Sequence, residues 1–362
     1  MWIMNCYERY LAVYSDNERK KLDRVPTHVQ YIREEFIDMN KESILKDYNG
    51  IRFNDLYFDI PRILGFDSIF APFPRSFKFR SIKIKSEEGK NIRIREDGQA
   101  VRPNTSYYEG GYIKNLAVLN KIKASLKIIE NHELINKVIT RYEKISPQIF
   151  PVLMVDGIFD RVWKSMGMID FSYHFKKRTA FYRELIEFYA YLTQTNILGL
   201  INATGNRGKV VTILDDVAYK GYTTISPERW EKDFMPYYKK INAIISDSNL
   251  ISQIHTDGDA TELISSFKKA GFRGLQGFEG GCDPVYINDR YPDFVLIGFG
   301  DVSYTLPYGT SDQIELHVRE LLDVLKENRH FIIGPSTVIF KEIPLKNVRK
   351  FMDAARNYGK YN

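Results

Sequence analysis

Short apolar runs alternate along this chain with longer stretches whose apolar residues recur at helical spacing. Eight runs read as strands: Val25 to Val29, Asp67 to Phe70, Pro151 to Val155, Val210 to Leu214, Leu250 to His255, Gly274 to Phe278, Phe294 to Gly298 and Phe331 to Gly334. Most intervals between them are long enough for a crossover helix. A repeating strand–helix order implies parallel strands, and eight of them can close on themselves. The pattern therefore predicts an α/β fold, a (β/α)₈ TIM barrel forming one domain over residues 1–362.

Several helices announce themselves. Ser226-Pro227-Glu228 places an N-cap before a proline at the first helical position, and Trp230, Phe234, Tyr237, Tyr238 and Ile241 follow at roughly helical spacing. Thr310-Ser311-Asp312 opens a helix with Ile314, Val318, Leu321, Leu322 and Leu325 on one face. Phe181 to Leu192 carries a similar face, and a last helix is predicted from about Leu345 to Tyr358. One region breaks the rhythm. Arg75 to Arg102 alternates apolar and charged residues, as in Ile82-Lys83-Ile84-Lys85 and Ile92-Arg93-Ile94-Arg95, with Gly89 and Gly98 at turns. It reads as an inserted β-hairpin or small sheet lying over one end of the barrel as a lid or rim.

The chain has 362 residues, 44% hydrophobic and 27% charged, the balance of a folded globular protein. Two distant cysteines, Cys6 and Cys282, exclude a disulfide framework and fit a reducing, cytoplasmic setting. The start has no signal-peptide pattern, and no run approaches the ~18 apolar residues of a membrane span. The net charge of +6 comes from dispersed Lys and Arg, with clusters such as Lys176 to Arg178. Solvated faces account for these, and no nucleic-acid-binding motif accompanies them.

Polar residues just after a barrel strand point into the site. The candidates are Asp156-Gly157 with Arg161, then Asp215-Asp216, then His255-Thr256-Asp257-Gly258-Asp259, and then Glu279-Gly280-Gly281-Cys282-Asp283. Successive strand residues face opposite ways, so only one of Asp215 and Asp216 can face the centre. The alternative for the pair is a helix cap or a loop salt bridge. His255, Asp257, Glu279 and Cys282 are ligand types that zinc accepts, and they come from neighbouring strand ends. Equally, His255 could only hydrogen-bond in the barrel mouth and Cys282 could be a small buried residue. Gly205 to Lys209 lacks phosphate-loop spacing, and neither a dinucleotide fingerprint nor a G-x-S-x-G elbow is present. Tyr107, Tyr108, Tyr112, Tyr219 and Tyr222 fall in loops that could line a pocket.

These residues carry a resemblance. Glu8 to Val13, Asp23-Arg24-Val25-Pro26, Asp215-Asp216, Ile225-Ser226-Pro227-Glu228, Pro236-Tyr237-Tyr238-Lys239, His255 to Asp259, Asp283-Pro284, Gly309-Thr310 and the ending from Pro344 to Tyr361 together resemble the uroporphyrinogen decarboxylase superfamily in order and spacing. The resemblance implies a (β/α)₈ barrel and one of two activities. True decarboxylases need arginines after the first strand; here Val29 to Phe36 carries Glu34 and Glu35, and Gly334-Pro335-Ser336 lacks their last-strand histidine. The cobalamin-dependent methyltransferases are the closer branch. Their thiol-methylating members bind zinc through H-x-C and a distal cysteine. His255 matches the histidine, whereas Asp257 and Pro335-Ser336 stand where cysteines would be.

The resemblance implies zinc at His255; with the cysteines missing, Asp257, Glu279 or Cys282 would have to replace them, giving a harder Lewis acid for want of thiolates. Their places after the strands and in the loops make Asp216, His255 and Asp257 the expected catalytic residues and Asp156, Tyr219 and Glu279 the expected substrate contacts. No D-x-H-x-x-G is present, so cobalamin would be supplied by a separate corrinoid protein acting with a small methyl donor or acceptor. A homodimer is one assembly the resemblance allows. The alternatives are a cofactor-free decarboxylase, with Asp216 stabilising a protonated intermediate, and a barrel without catalysis.

Overall fold

The computed structural model describes residues 3–80, 82–85, 91–95, 98–103 and 108–361. Eight parallel strands form one sheet: β1 (His28–Val29), β2 (Ser68–Pro72), β3 (Phe150–Asp156), β4 (Val210–Leu214), β5 (Ile251–Thr256), β6 (Gly274–Gly277), β7 (Val295–Gly300) and β8 (Phe331–Pro335), paired in that order. The ring closes where the Ile333 amide donates to the Pro26 carbonyl at 2.9 Å and Thr27 bridges Ile333. All eight expected strands are present. The first is shorter than expected, because Val25 bonds the Gly359 carbonyl instead and Pro26 and Thr27 meet β8 through a single bridge at Ile333.

The strands are buried on both faces, which explains why they read as nearly continuous apolar runs. The helices that cover them include α1 (Phe159–Met166), α2 (Ala180–Thr204), α3 (Pro227–Asp233), α4 (Met235–Asp247), α5 (Pro284–Arg290), α6 (Thr305–Tyr308), α7 (Ser311–Leu325) and α8 (Leu345–Tyr358). Ser226 caps α3, and Thr310 with Gln313 forms a capping box on α7. The single helix expected after Ser226 is two, broken at Phe234. Pro236 offers no amide and its ring would clash with the carbonyl one turn back, so the chain restarts there. Among the described residues, no helix is long and apolar enough to cross a membrane.

The insertion between β2 and β3 is the small sheet of the two forms expected, and it extends beyond the expected bounds. Ile82–Lys85, Asn91–Ile94, Gln99–Val101 and Tyr108–Gly111 form a four-stranded antiparallel sheet reaching past residue 102. Ile92 and Ile94 are buried while Asn91 and Arg93 are exposed, as the alternation requires. The sheet rests on α1: the Ile113 amide donates to the Ser165 carbonyl at 2.9 Å, and the Tyr108 hydroxyl donates to the Lys164 carbonyl at 3.0 Å. Since α1 follows β3 directly, this packing sets the insertion at the rim of the barrel's carboxyl end. Tyr107 and Gly89 lie outside the described residues.

At the opposite end, Asp67 ties the chain start to the barrel. Its carboxylate pairs with Arg9 at 2.7 Å and Arg24 at 2.6 Å and accepts the Thr27 amide at 2.8 Å. Burial opposes its charge, but Arg24 and Arg9 hold its pKa well below the usual range. A depressed folded pKa stabilises above the unfolded value of about 3.9 and ceases to do so as pH falls through the acid range. Asp67→Asn removes the carboxylate shared by Arg9 and Arg24 and leaves buried Arg9 with Asp23 as its remaining charge partner. It should cost about 3–5 kcal/mol in urea unfolding and flatten the acid limb of the stability curve.

Candidate functional site

The parallel register brings Asp156, Leu214, His255 and Gln276 to one level, each paired with the next around β3, β4, β5 and β6. Residues paired in this way share a face, and this level lies at the carboxyl ends of the strands. His255 is buried and fixed there. Gln276 donates its amide nitrogen to the Ser336 carbonyl at 3.0 Å, so its amide oxygen faces the imidazole. The His255 Nδ1–H then donates to that oxygen at 2.5 Å. The pair of bonds selects the tautomer and leaves the Nε2 lone pair outward. Gln30, oriented by the Thr337 hydroxyl at 2.9 Å, brings its amide nitrogen to 3.2 Å from Nε2.

Two carboxylates meet this nitrogen. Asp257 Oδ1 is 3.5 Å away and Asp216 Oδ1 is 3.8 Å away. One ligand atom from each of Asp216, His255 and Asp257 lies within 4.8 Å of the others. Asp257 Oδ1 is buried with no hydrogen-bond partner among the described residues. Burial, with Asp216 close by, pushes the Asp257 pKa up although His255 opposes the shift. Lys164, on α1, approaches Asp216 at 3.5 Å while pairing with Asp160 at 2.6 Å. Burial works against its charge, but the two carboxylates raise its pKa on balance and keep it an ammonium.

Asp215 faces the other way, as strand alternation demands. It accepts the Asp160 amide at 2.8 Å and the Tyr238 hydroxyl at 2.5 Å, joining α1 to α4. Burial raises its pKa to about 6. Of the two readings open for the aspartate pair, Asp215 takes the cap and Asp216 the mouth.

The remaining candidates are placed differently. Glu279 and Cys282 do not belong to the three-residue group. The Cys282 thiol donates to the Glu279 carbonyl at 3.2 Å and lies 3.5 Å from Asp259, and burial with that carboxylate pushes its pKa up, so it stays a thiol. Glu279 is half-buried nearby, its pKa raised by burial and then by Asp257. Of His255, Asp257, Glu279 and Cys282, the structure brings His255 and Asp257 into one group of ligand atoms within 4.8 Å, and Asp216 joins them there. Asp156 spends its carboxylate on Arg75 at 2.7 Å. Tyr219 is an exposed rim residue against Tyr222, and its backbone presses on Gly258, whose φ of +85° leaves no room for a Cβ. Sequence reasoning missed Gln276, Gln30 and Lys164. A glutamine inside the apolar run Gly274 to Phe278 was the available signal, since a polar side chain on an inward strand position needs a partner.

A family profile described as Uroporphyrinogen decarboxylase (URO-D) matches residues 167–358, the segment containing Asp216, His255, Asp257 and Gln276. The chain is 26% identical over 153 residues to the methylcobamide:CoM methyltransferase MtbA of Methanosarcina acetivorans, covering 42% of this chain and 43% of that one. It is 24% identical over 156 residues to the protein of the same name from Methanosarcina mazei, with the same coverage. The match thus spans less than half the length of these curated relatives. A solved methyltransferase from Methanosarcina mazei superposes with a TM-score of 0.64 at 16% identity, covering 98% of this chain and 99% of that one, and shares the barrel fold.

The two adjacent aspartates should separate cleanly on mutation. Asp215→Ala strands the Asp160 amide and Tyr238 hydroxyl and should cost about 1–3 kcal/mol by denaturant unfolding. Asp216→Ala, at the half-buried mouth, should leave the unfolding midpoint nearly where it was.

Proposed function

This chain belongs to the uroporphyrinogen decarboxylase family, and from that membership we propose that it is a methyltransferase moving a methyl group between a small substrate and a corrinoid carried by a separate protein. The convergence of His255 Nε2 with Asp216 and Asp257 at the barrel mouth carries the reading. The names of the relatives support the same chemistry.

The residues fit a divalent metal, zinc being the ion expected. A buried carboxylate oxygen without a hydrogen bond, as at Asp257, is costly unless a cation offsets it. Imidazole and carboxylate are both zinc ligands, and Gln276 supplies the outer hydrogen bond that orients a ligating histidine. Asp216, His255 and Asp257 would hold the ion, and Gln30 would turn its amide away from Nε2. Bound there, the metal would supply Lewis-acid polarisation of the substrate heteroatom.

The chain's own groups do the rest. Lys164 fixes Asp216 and limits the negative charge at the mouth. Glu279, half-buried beside the mouth, would contact the substrate. Asp156 holds Arg75 on the rim, and Tyr219 borders the approach for substrate and corrinoid carrier. The decarboxylase alternative is not favoured, because a polycarboxylate would be repelled by Asp216, Asp257 and Glu279.

Elemental analysis of purified protein should find a bound divalent metal, with occupancy lowered by Asp257→Ala. Metal-free protein of full stability and full activity would overturn the metal assignment. His255→Ala should reduce methyl transfer from methylcobalamin to background while the circular dichroism spectrum stays unchanged. Gln276→Ala should lower metal affinity or rate by about 10- to 100-fold. Turnover of a porphyrinogen with no corrinoid present would reverse the functional reading.

A further inference from the structure

Next to the His255 cluster, and sharing Glu279 and Ser336 with its surroundings, is a cavity of about 490 Å³ between the ends of β6 and β7 and helices α5 and α7. Phe278 and Phe299 line it, stacked with ring centroids 4.2 Å apart and planes 9° apart. Both sit in left-handed backbone, with φ of 69° and 67°. Each follows a glycine, and those glycines, Gly277 and Gly298, are paired in register. A bulky residue in that region costs on the order of 1–3 kcal/mol and persists where its surroundings impose it, most often at functional sites. Two adjacent strands thus end in the same strained Gly-Phe step, and both steps deliver a ring to one cavity.

The charges around the cavity are unequal. Glu279, Asp301 and Glu320 contribute three carboxylates against the single ammonium of Lys220. Asp301 is committed to the first turn of α6, accepting the Ser303 and Thr305 amides at 2.8 and 2.9 Å. Glu279 and Glu320 are not in that turn. The Lys220 ammonium lies 4.8 Å over the Tyr304 ring, so a cation already rests on an aromatic face at this cavity. The remaining wall is largely apolar and includes the half-exposed Val285.

Aromatic faces and unbalanced carboxylates around a cavity of ligand size favour one ligand class. We propose that this cavity binds an organic cation, an ammonium carrying apolar substituents, with its body against Phe278 and Phe299 and its charge toward Glu279 and Glu320. Reading that ligand as the methyl-bearing substrate rests on the methyl-transfer assignment; the charge preference of the cavity does not.

Calorimetric titration of the full chain with benzyltrimethylammonium and, separately, benzenesulfonate tests this directly. The cation should bind, with the sulfonate at least about tenfold weaker. Glu279→Gln and Glu320→Gln should each weaken the cation severalfold. Val285→Trp, at an exposed position where the fold tolerates bulk, should block it. Equal or preferred binding of benzenesulfonate, no binding of the cation, or undiminished binding in Val285→Trp would overturn the proposal. Selective cation binding in a protein that transfers no methyl group would sink the methyl-transfer reading and leave the cavity assignment standing.

Discussion

The mouth of this barrel is organised by one hydrogen-bond relay, from His255 Nδ1 to Gln276 and on to the Ser336 carbonyl. It spans three strand ends and decides what the imidazole can do. With Nδ1 occupied as a donor, only Nε2 can face the carboxylates, and it can do so only as a lone pair or a newly protonated site. The relay depends in turn on parallel register: His255 opposite Gln276, and Gln276 near the end of β8. A one-residue slip of β6 would send Gln276 into the helical shell and free the ring.

Around that fixed nitrogen, identical side chains have been given different tasks by direction alone. Asp215 closes a helix-to-helix joint, while Asp216, one residue on, enters the mouth. Asp257, from the end of β5, brings its oxygen closer to His255 than Asp216 does. A metal proposed there would meet one nitrogen and two oxygens. Such a set suits a harder ion and an oxygen or nitrogen centre better than a sulfur one. Lys164 tempers the charge of this group without cancelling it, which sets the electrostatic tone of the whole mouth.

Two structures frame that mouth. On the side of β2 and β3 the inserted sheet lies on α1 and carries cationic residues, among them Arg93 on its exposed face. Past β6 and β7 the wall is aromatic and acidic, with the stacked phenylalanines below and Tyr304 at the surface. The acidic, aromatic side is the one enclosed enough to hold a small ligand.

Much of the architecture was legible in local pattern. Eight apolar runs at crossover spacing, the Ser226 and Thr310 caps and the last helix each arise from interactions within a few residues, so periodicity and capping chemistry reveal them. His255 and Asp257 could be nominated because both end one strand. The break at Phe234 was readable too, from Pro236, but the regular apolar spacing concealed it. What local pattern could not decide was distance. Asp216 and His255 are 39 residues apart and meet only because β4 and β5 pair in one register, whereas Cys282, just beyond β6, turns with its loop toward Asp259. The sequence by itself determined which residues lie at strand ends and that neighbours along a strand point opposite ways. Only the closed barrel, through register and the hydrogen bonds of Gln276, decided which of them share a cavity, because convergence is set by pairing between strands and no stretch of chain carries that information alone.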